Sequence, residues 1–87
     1  MKLVEGDVQA QAEQVLINLT AVLEAAGSSL DNVIKATVFL DSMDDYKAVN
    51  EIYSRYFSNA KPARSAVAVE KLPLGAMVEI EVVATVS

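Results

Sequence analysis

The sequence contains no cysteine and no histidine. The first absence excludes a disulfide framework, a thiolate nucleophile and any cysteine metal site. The second excludes Ser-His-Asp and Cys-His chemistry and the common zinc sites. No metal site is expected, because carboxylates alone show no ligand spacing here. There is no phosphate-binding loop, dinucleotide fingerprint or calcium loop. Two prolines and three glycines leave no flexible linker or low-complexity stretch. No apolar run has the length of a membrane span and no signal-peptide pattern opens the chain, so a soluble, cytoplasmic protein is expected. Positive charge is also scarce: seven Lys and Arg stand against twelve Asp and Glu, a net charge of −5. The basic residues are scattered apart from the loose group Lys61, Arg64 and Lys71, so nucleic acid is not an expected partner.

What is present is apolar character, 53% of 87 residues. A chain of this size makes one domain, residues 1–87, and buries roughly 60–65% of its unfolded surface. The apolar surplus therefore points to burial between chains as well as within one. Residues 1–6 read as a short lead-in. Asp7 caps a long helix that ends at Gly27, with Val8, Ala12, Val15, Leu19, Val22, Leu23 and Ala26 recurring at three and four. A turn around Ser28 to Asn32 leads into Val33 to Leu40, β-branched and almost continuously apolar, the natural central strand. Asp44 or Ser42 caps a second helix over about 45–58, with the stripe Val49, Ile52, Tyr53, Tyr56 and Phe57.

Next comes Lys61-Pro62-Ala63-Arg64-Ser65-Ala66-Val67-Ala68-Val69-Glu70, where a proline turn delivers one arginine to a small, apolar strand. Alternation puts Arg64, Ala66, Ala68 and Glu70 on one face and Ser65, Val67 and Val69 on the other. The final strand, 77–85, alternates Val78, Ile80, Val82 and Ala84 toward the helices, with Glu79 and Glu81 pointing away. The element order α-β-α-β-β implies an α+β two-layer sandwich with both helices on one face of the sheet. The opposite face lacks cover from its own chain, and Met77, Val83, Ala66 and Ala68 are expected there, at a subunit interface.

Arg64 offers a planar, permanently charged fork suited to a carboxylate or phosphate, although a surface ion pair is the common fate of such an arginine. Glu79, set in an apolar strand, is the candidate to hold a water, with partial burial raising its pKa toward the working range. A solvated strand face is the simpler account of Glu79 and Glu81.

The segments Ala25-Ala26-Gly27-Ser28-Ser29-Leu30-Asp31-Asn32-Val33, Thr37-Val38-Phe39-Leu40, Val49-Asn50-Glu51-Ile52-Tyr53, Pro62-Ala63-Arg64-Ser65-Ala66-Val67, Leu72-Pro73 and Val78-Glu79-Ile80-Glu81 resemble, in this order, the RidA (YjgF-like) family of enamine/imine deaminases. The resemblance runs from about residue 6 to the end. It implies a chorismate-mutase-like fold with a mixed sheet, a homotrimer with clefts between subunits, and no cofactor or metal. It also implies hydrolysis of reactive 2-imino acids, such as 2-iminobutanoate and 2-iminopropanoate, to 2-keto acids and ammonia. On it, Arg64 falls on the arginine that pairs with the substrate carboxylate and Glu79 on the glutamate that positions water. Ala66 falls on a cleft position, often cysteine, that offers its backbone. Asn50 falls on a cleft-lining asparagine and Pro73 on a loop position near the ligand.

Relative to that family the chain is N-terminally short. The family's first strands and a Gly-Pro-Tyr motif would precede residue 1, and one of those strands would lie beside 77–85. Two other readings follow: a trimeric ligand-binding or scaffold protein without full activity, and an RNA-cleaving or translation-inhibiting protein, a role also attached to the family. The acidic balance and the lack of histidine count against the last.

Overall fold

A computed structural model describes residues 7–58 and 61–86; the lead-in expected over 1–6 lies outside the described residues. Helix α1 spans Val8–Ala25. It starts where the Asp7 carboxylate accepts a bond from the Ala10 backbone N–H at 2.8 Å, covering one of the otherwise unpaired donors of the first turn. It stops in a Schellman arrangement. Gly27 takes φ +80°, its N–H donates to the Glu24 carbonyl, and the Ser28 N–H donates to the Leu23 carbonyl at 2.8 Å.

A single tight turn, Leu30–Asn32, leads into β1 (Val33–Leu40). A second, Met43–Asp45, is capped by the Ser42 hydroxyl, which accepts from the Asp44 N–H, and runs into α2 (Tyr46–Tyr56). Strand β2 (Ala63–Ala68) and strand β3 (Val78–Ala84) complete the chain, with a turn at Pro73–Gly75 between them. The sheet order is β2-β1-β3. β1 pairs parallel with β2, placing Ala36 beside Arg64 and Phe39 beside Val67. It pairs antiparallel with β3, placing Phe39 beside Glu79 and Val38 beside Ile80. The parallel pair needs a long crossover, which α2 supplies.

Both helices pack on one face of this mixed sheet. The core joins Val8, Ala12, Leu16 and Leu23 of α1 to Val49, Ile52, Tyr53 and Phe57 around α2, and both to Ala36, Val38, Leu40 and Val78 of the sheet. Tyr53 and Phe57 stack with ring centroids 4.5 Å apart. The expected element order and the expected inward face of β3 hold, since Val78, Ile80, Val82 and Ala84 all belong to the core or pack against it.

Three sequence expectations need correction. Most of the α1 stripe read by periodicity holds, with Val8, Ala12 and Leu23 buried and Val15 and Leu19 packed on the core, but the reading omitted Leu16, which is fully buried, and included Val22, which is 64% exposed. The run is apolar on nearly every face from Val15 to Val22, so spacing alone does not choose the inward residues. The helix also ends before Ala26, which serves as its C-cap. Finally, Ala66 and Met77 do not lie on the open sheet face but pack against the core, because Ala66 shares the register of Val38 and Met77 sits at the strand entry. Ala68, in register with buried Leu40, also belongs to the helix side. Of the four residues assigned to the open face, Val83 is there and half exposed, in company with Val67.

Leu16→Ala is expected to lower stability by about 2–5 kcal/mol, the range for a fully buried leucine. Val22→Ala is expected to stay within about 0.5 kcal/mol. Urea unfolding of both variants checks the corrected stripe; equal losses would restore the periodicity reading.

Candidate functional site

Arg64 leaves β2 on the helix-covered face, in register with fully buried Ala36. Above it lie Tyr46, Asn50 and Tyr53 of α2. Spacings of four and three put these side chains on one helix face, and all three meet the arginine. The Arg64 guanidinium donates through one terminal nitrogen to Asn50 Oδ1 and through the other to the Tyr46 hydroxyl at 2.6 Å. Its central carbon sits 4.9 Å from the Tyr53 ring centroid and 5.4 Å from that of Tyr46. Cation–π attraction to two rings adds to the two hydrogen bonds.

Among the described residues no carboxylate forms an ion pair with Arg64, so the surface ion pair weighed from sequence is not what the fold provides. The charge is held in place by neutral acceptors and remains uncompensated, with further N–H donors to spare. A cavity of about 580 Å³ opens beside it, lined by Asn50, Tyr53, Ser54, Phe57, Lys61 and Pro62 among others.

The remaining sequence candidates lie elsewhere. Ala66 is two residues along β2 on the same face as Arg64, half-buried and against the core. Pro73 and Glu79 line a second groove of about 420 Å³, between α1 and the outer edge of β3, whose other walls include Val15, Leu19, Val22, Leu74 and Ile80. Leu74 enters this groove's rim at φ +58°, a left-handed conformation that costs a branched residue free energy. The Glu79 side chain is exposed on the sheet face turned away from the helices. The burial expected for it is therefore absent within one chain. Arg64 and Glu79 lie on opposite faces and on the two outer strands of the sheet. The fold thus unites Arg64 with Asn50, keeps Ala66 nearby, and separates Pro73 and Glu79 from them.

From sequence, Tyr53 is part of the apolar stripe of the second helix, and Tyr46 lies outside that stripe. The i, i+4, i+7 pattern Tyr46-Asn50-Tyr53 was the available signal for the arginine's seat. Among the described residues, no group of three Asp or Glu side chains gathers to hold a metal ion, and no helix is long and apolar enough to cross a membrane.

A family model described as Endoribonuclease L-PSP matches residues 1–86. The chain belongs to this family, the RidA (YjgF-like) proteins. Among curated RidA relatives, the RutC family protein PH0854 of Pyrococcus horikoshii is 51% identical over 83 residues, 95% of this chain and 66% of that protein. The 2-iminobutanoate/2-iminopropanoate deaminase of Capra hircus is 47% identical over 83 residues, 95% of this chain and 61% of that enzyme. The crystal structure of E. coli TdcF with bound serine superposes with a TM-score of 0.90 at 40% identity, covering 97% of this chain and 68% of that one. The arrangement of two helices on a three-stranded mixed sheet is the chorismate-mutase-like fold of these RidA structures. The chain spans about two thirds of the length of the RidA relatives it matches.

Burial pushes the Tyr53 hydroxyl above its ordinary value of 10.0, while the Arg64 charge pulls it the other way. The raised folded value means that stability is fully present below the unfolded pKa and is lost as pH rises through the folded one. The urea midpoint is therefore expected to fall above about pH 10, and to fall less in Tyr53→Phe. A pH dependence unchanged by the substitution would contradict this.

Proposed function

We propose that the chain acts as a hydrolase of 2-imino acids, with Arg64 as the carboxylate clamp. The observation that carries this reading is an arginine fixed by neutral partners, without an internal counterion, at the mouth of a cavity. A carboxylate arriving there meets a preset fork and needs no rearrangement of a competing ion pair. The relative named for 2-iminobutanoate and 2-iminopropanoate deamination supports the choice of substrate class.

In the proposed reaction, Arg64 and Asn50 orient the acid and the Ala66 backbone borders it. Glu79 accepts a proton from water as the water oxygen bonds to the imine carbon. The proton passes to nitrogen to give a carbinolamine; its hydroxyl proton then moves to nitrogen as the C=O bond forms, the C–N bond breaks, and ammonia leaves a 2-keto acid. Pro73 shapes the wall beside Glu79. No metal or cofactor enters this scheme.

Arg64 and Glu79 stand on opposite sheet faces, so one chain does not complete the site by itself. Their placement on opposite outer strands suits a head-to-tail contact, in which the β2 side of one copy meets the β3 side of the next. Such contacts close into rings, and we assign the trimer of the RidA resemblance to this geometry. Exposed Val67 and Val83 on the uncovered sheet face are the apolar surface available for it.

A second reading has its own observation in favour: the Arg64 cavity is formed within one chain while Glu79 is remote, so the chain would bind acids without hydrolysing them. The RNA-directed reading takes support from the family description, Endoribonuclease L-PSP, but the net charge of −5 opposes it.

Freshly generated 2-iminopropanoate is expected to be hydrolysed by the chain and not by Arg64→Ala, with circular dichroism showing both to be folded. Keto-acid binding lost with Arg64 but no hydrolysis in the parent would favour the second reading. Arg64→Ala and Glu79→Gln chains, inactive separately, are expected to regain about one quarter of the parent rate when unfolded together and refolded as an equal mixture, since an intact pair then forms at one contact in four. No recovery would place both groups in the same chain's site and overturn the shared cleft.

A further inference from the structure

We propose that the cavity beside Arg64 is built for the tail of a dicarboxylic 2-imino or 2-keto acid, the first carboxylate on Arg64 and the second on Lys61 and the Tyr53 hydroxyl. This rests on the reading of Arg64 as clamp. The cavity is lined by two cations, Arg64 and Lys61, by Ser54 and Ser58, and by no carboxylate. In a chain with twelve acidic and seven basic residues, that lining departs from the average surface in one direction, toward anions. Arg64 alone accounts for a monocarboxylate; the second cation is left without a partner in the reaction described above.

The independent observation is Tyr53. Its side chain is 6% exposed, it lines the same cavity, and its hydroxyl oxygen is buried with no hydrogen-bond partner. An unsatisfied buried hydroxyl costs about 1–3 kcal/mol unless something supplies the missing bond. A raised pKa keeps it a neutral O–H donor at physiological pH, so what it lacks is an acceptor. The Arg64 guanidinium lies 4.9 Å over the Tyr53 ring, so an acid drawn to Arg64 arrives against this same wall. A tail carboxylate would supply the acceptor that both donors lack; an aliphatic tail leaves the hydroxyl unpaired and the ammonium unused. The groove at the β3 edge of the sheet, walled by Val15, Leu19, Val22 and Leu74, has the opposite character.

Isothermal titration of the chain with 2-oxoglutarate and with 2-oxobutanoate tests this. At least tenfold tighter binding of 2-oxoglutarate is expected. Lys61→Gln should remove most of that preference, and Tyr53→Phe should reduce it several-fold. Lys61→Gln should leave 2-oxobutanoate binding unchanged, and Tyr53→Phe should leave the melting temperature unchanged or higher, because its hydroxyl has no bond to lose. Lys71→Gln, which removes a cation outside the cavity, should leave the preference intact. Equal affinity for the two acids, with both bound through Arg64, overturns the inference and leaves the clamp standing. A preference that survives Lys61→Gln and Tyr53→Phe, or that falls equally with Lys71→Gln, overturns it as well. Failure of both acids to bind overturns the clamp and this inference together.

Discussion

Strand β1 carries hydrogen bonds on both edges, and the strand-borne candidates Arg64, Ala66 and Glu79 are placed by their register against it. A slip of one residue would exchange the two faces of a neighbouring strand. Against β2 the register sets Arg64 beside Ala36, under α2. Against β3 it sets Glu79 beside Phe39, away from both helices. The alanine at position 36 is fully buried and small, which leaves the space above it to the guanidinium and its tyrosines. Arg64 and Glu79 are thus assigned to different faces by backbone pairing, before any side chain chooses a rotamer.

That pairing also explains which parts of the fold were legible in the sequence. Strands β1 and β3 announce themselves, one by a β-branched apolar run and the other by strict alternation, and their inward faces follow from the pleat. The caps at Asp7 and Gly27 are equally plain, because each supplies what a helix end lacks. On helix α1 periodicity succeeds at Val8, Ala12, Val15, Leu19 and Leu23 and misplaces Leu16 and Val22: the middle of the helix is apolar around its axis, and the position of the sheet decides that Leu16 turns inward. Ala66 and Met77 were misassigned for a related reason. Small or flexible apolar residues near strand ends carry little directional signal until a register is known.

The site was half legible. Arg64 stands out by composition, but its seat does not, because Tyr53 reads as part of an apolar helix stripe and Tyr46 falls outside it. The family resemblance named Asn50 and left the tyrosines unassigned. Pro73 and Glu79 belong to a different groove, and no linear spacing reveals that separation. It emerges only when β2 and β3 take opposite sides of β1. The two grooves differ in chemistry as well as in place, one cationic and hydroxyl-bearing, the other walled by aliphatic side chains.

The manner in which Arg64 is held has a bearing on the conditions under which the protein can work. An arginine anchored by aspartate or glutamate loses its anchor in acid, when the carboxylate takes up a proton. Here the anchors are an amide and a phenol, with aromatic faces beneath. Acidification removes none of them, and salt has no anchoring ion pair to screen. Among the described residues the seat of Arg64 thus has no titrating carboxylate in it, and on the proposed reading the acid limb of binding belongs to the ligand and not to this seat.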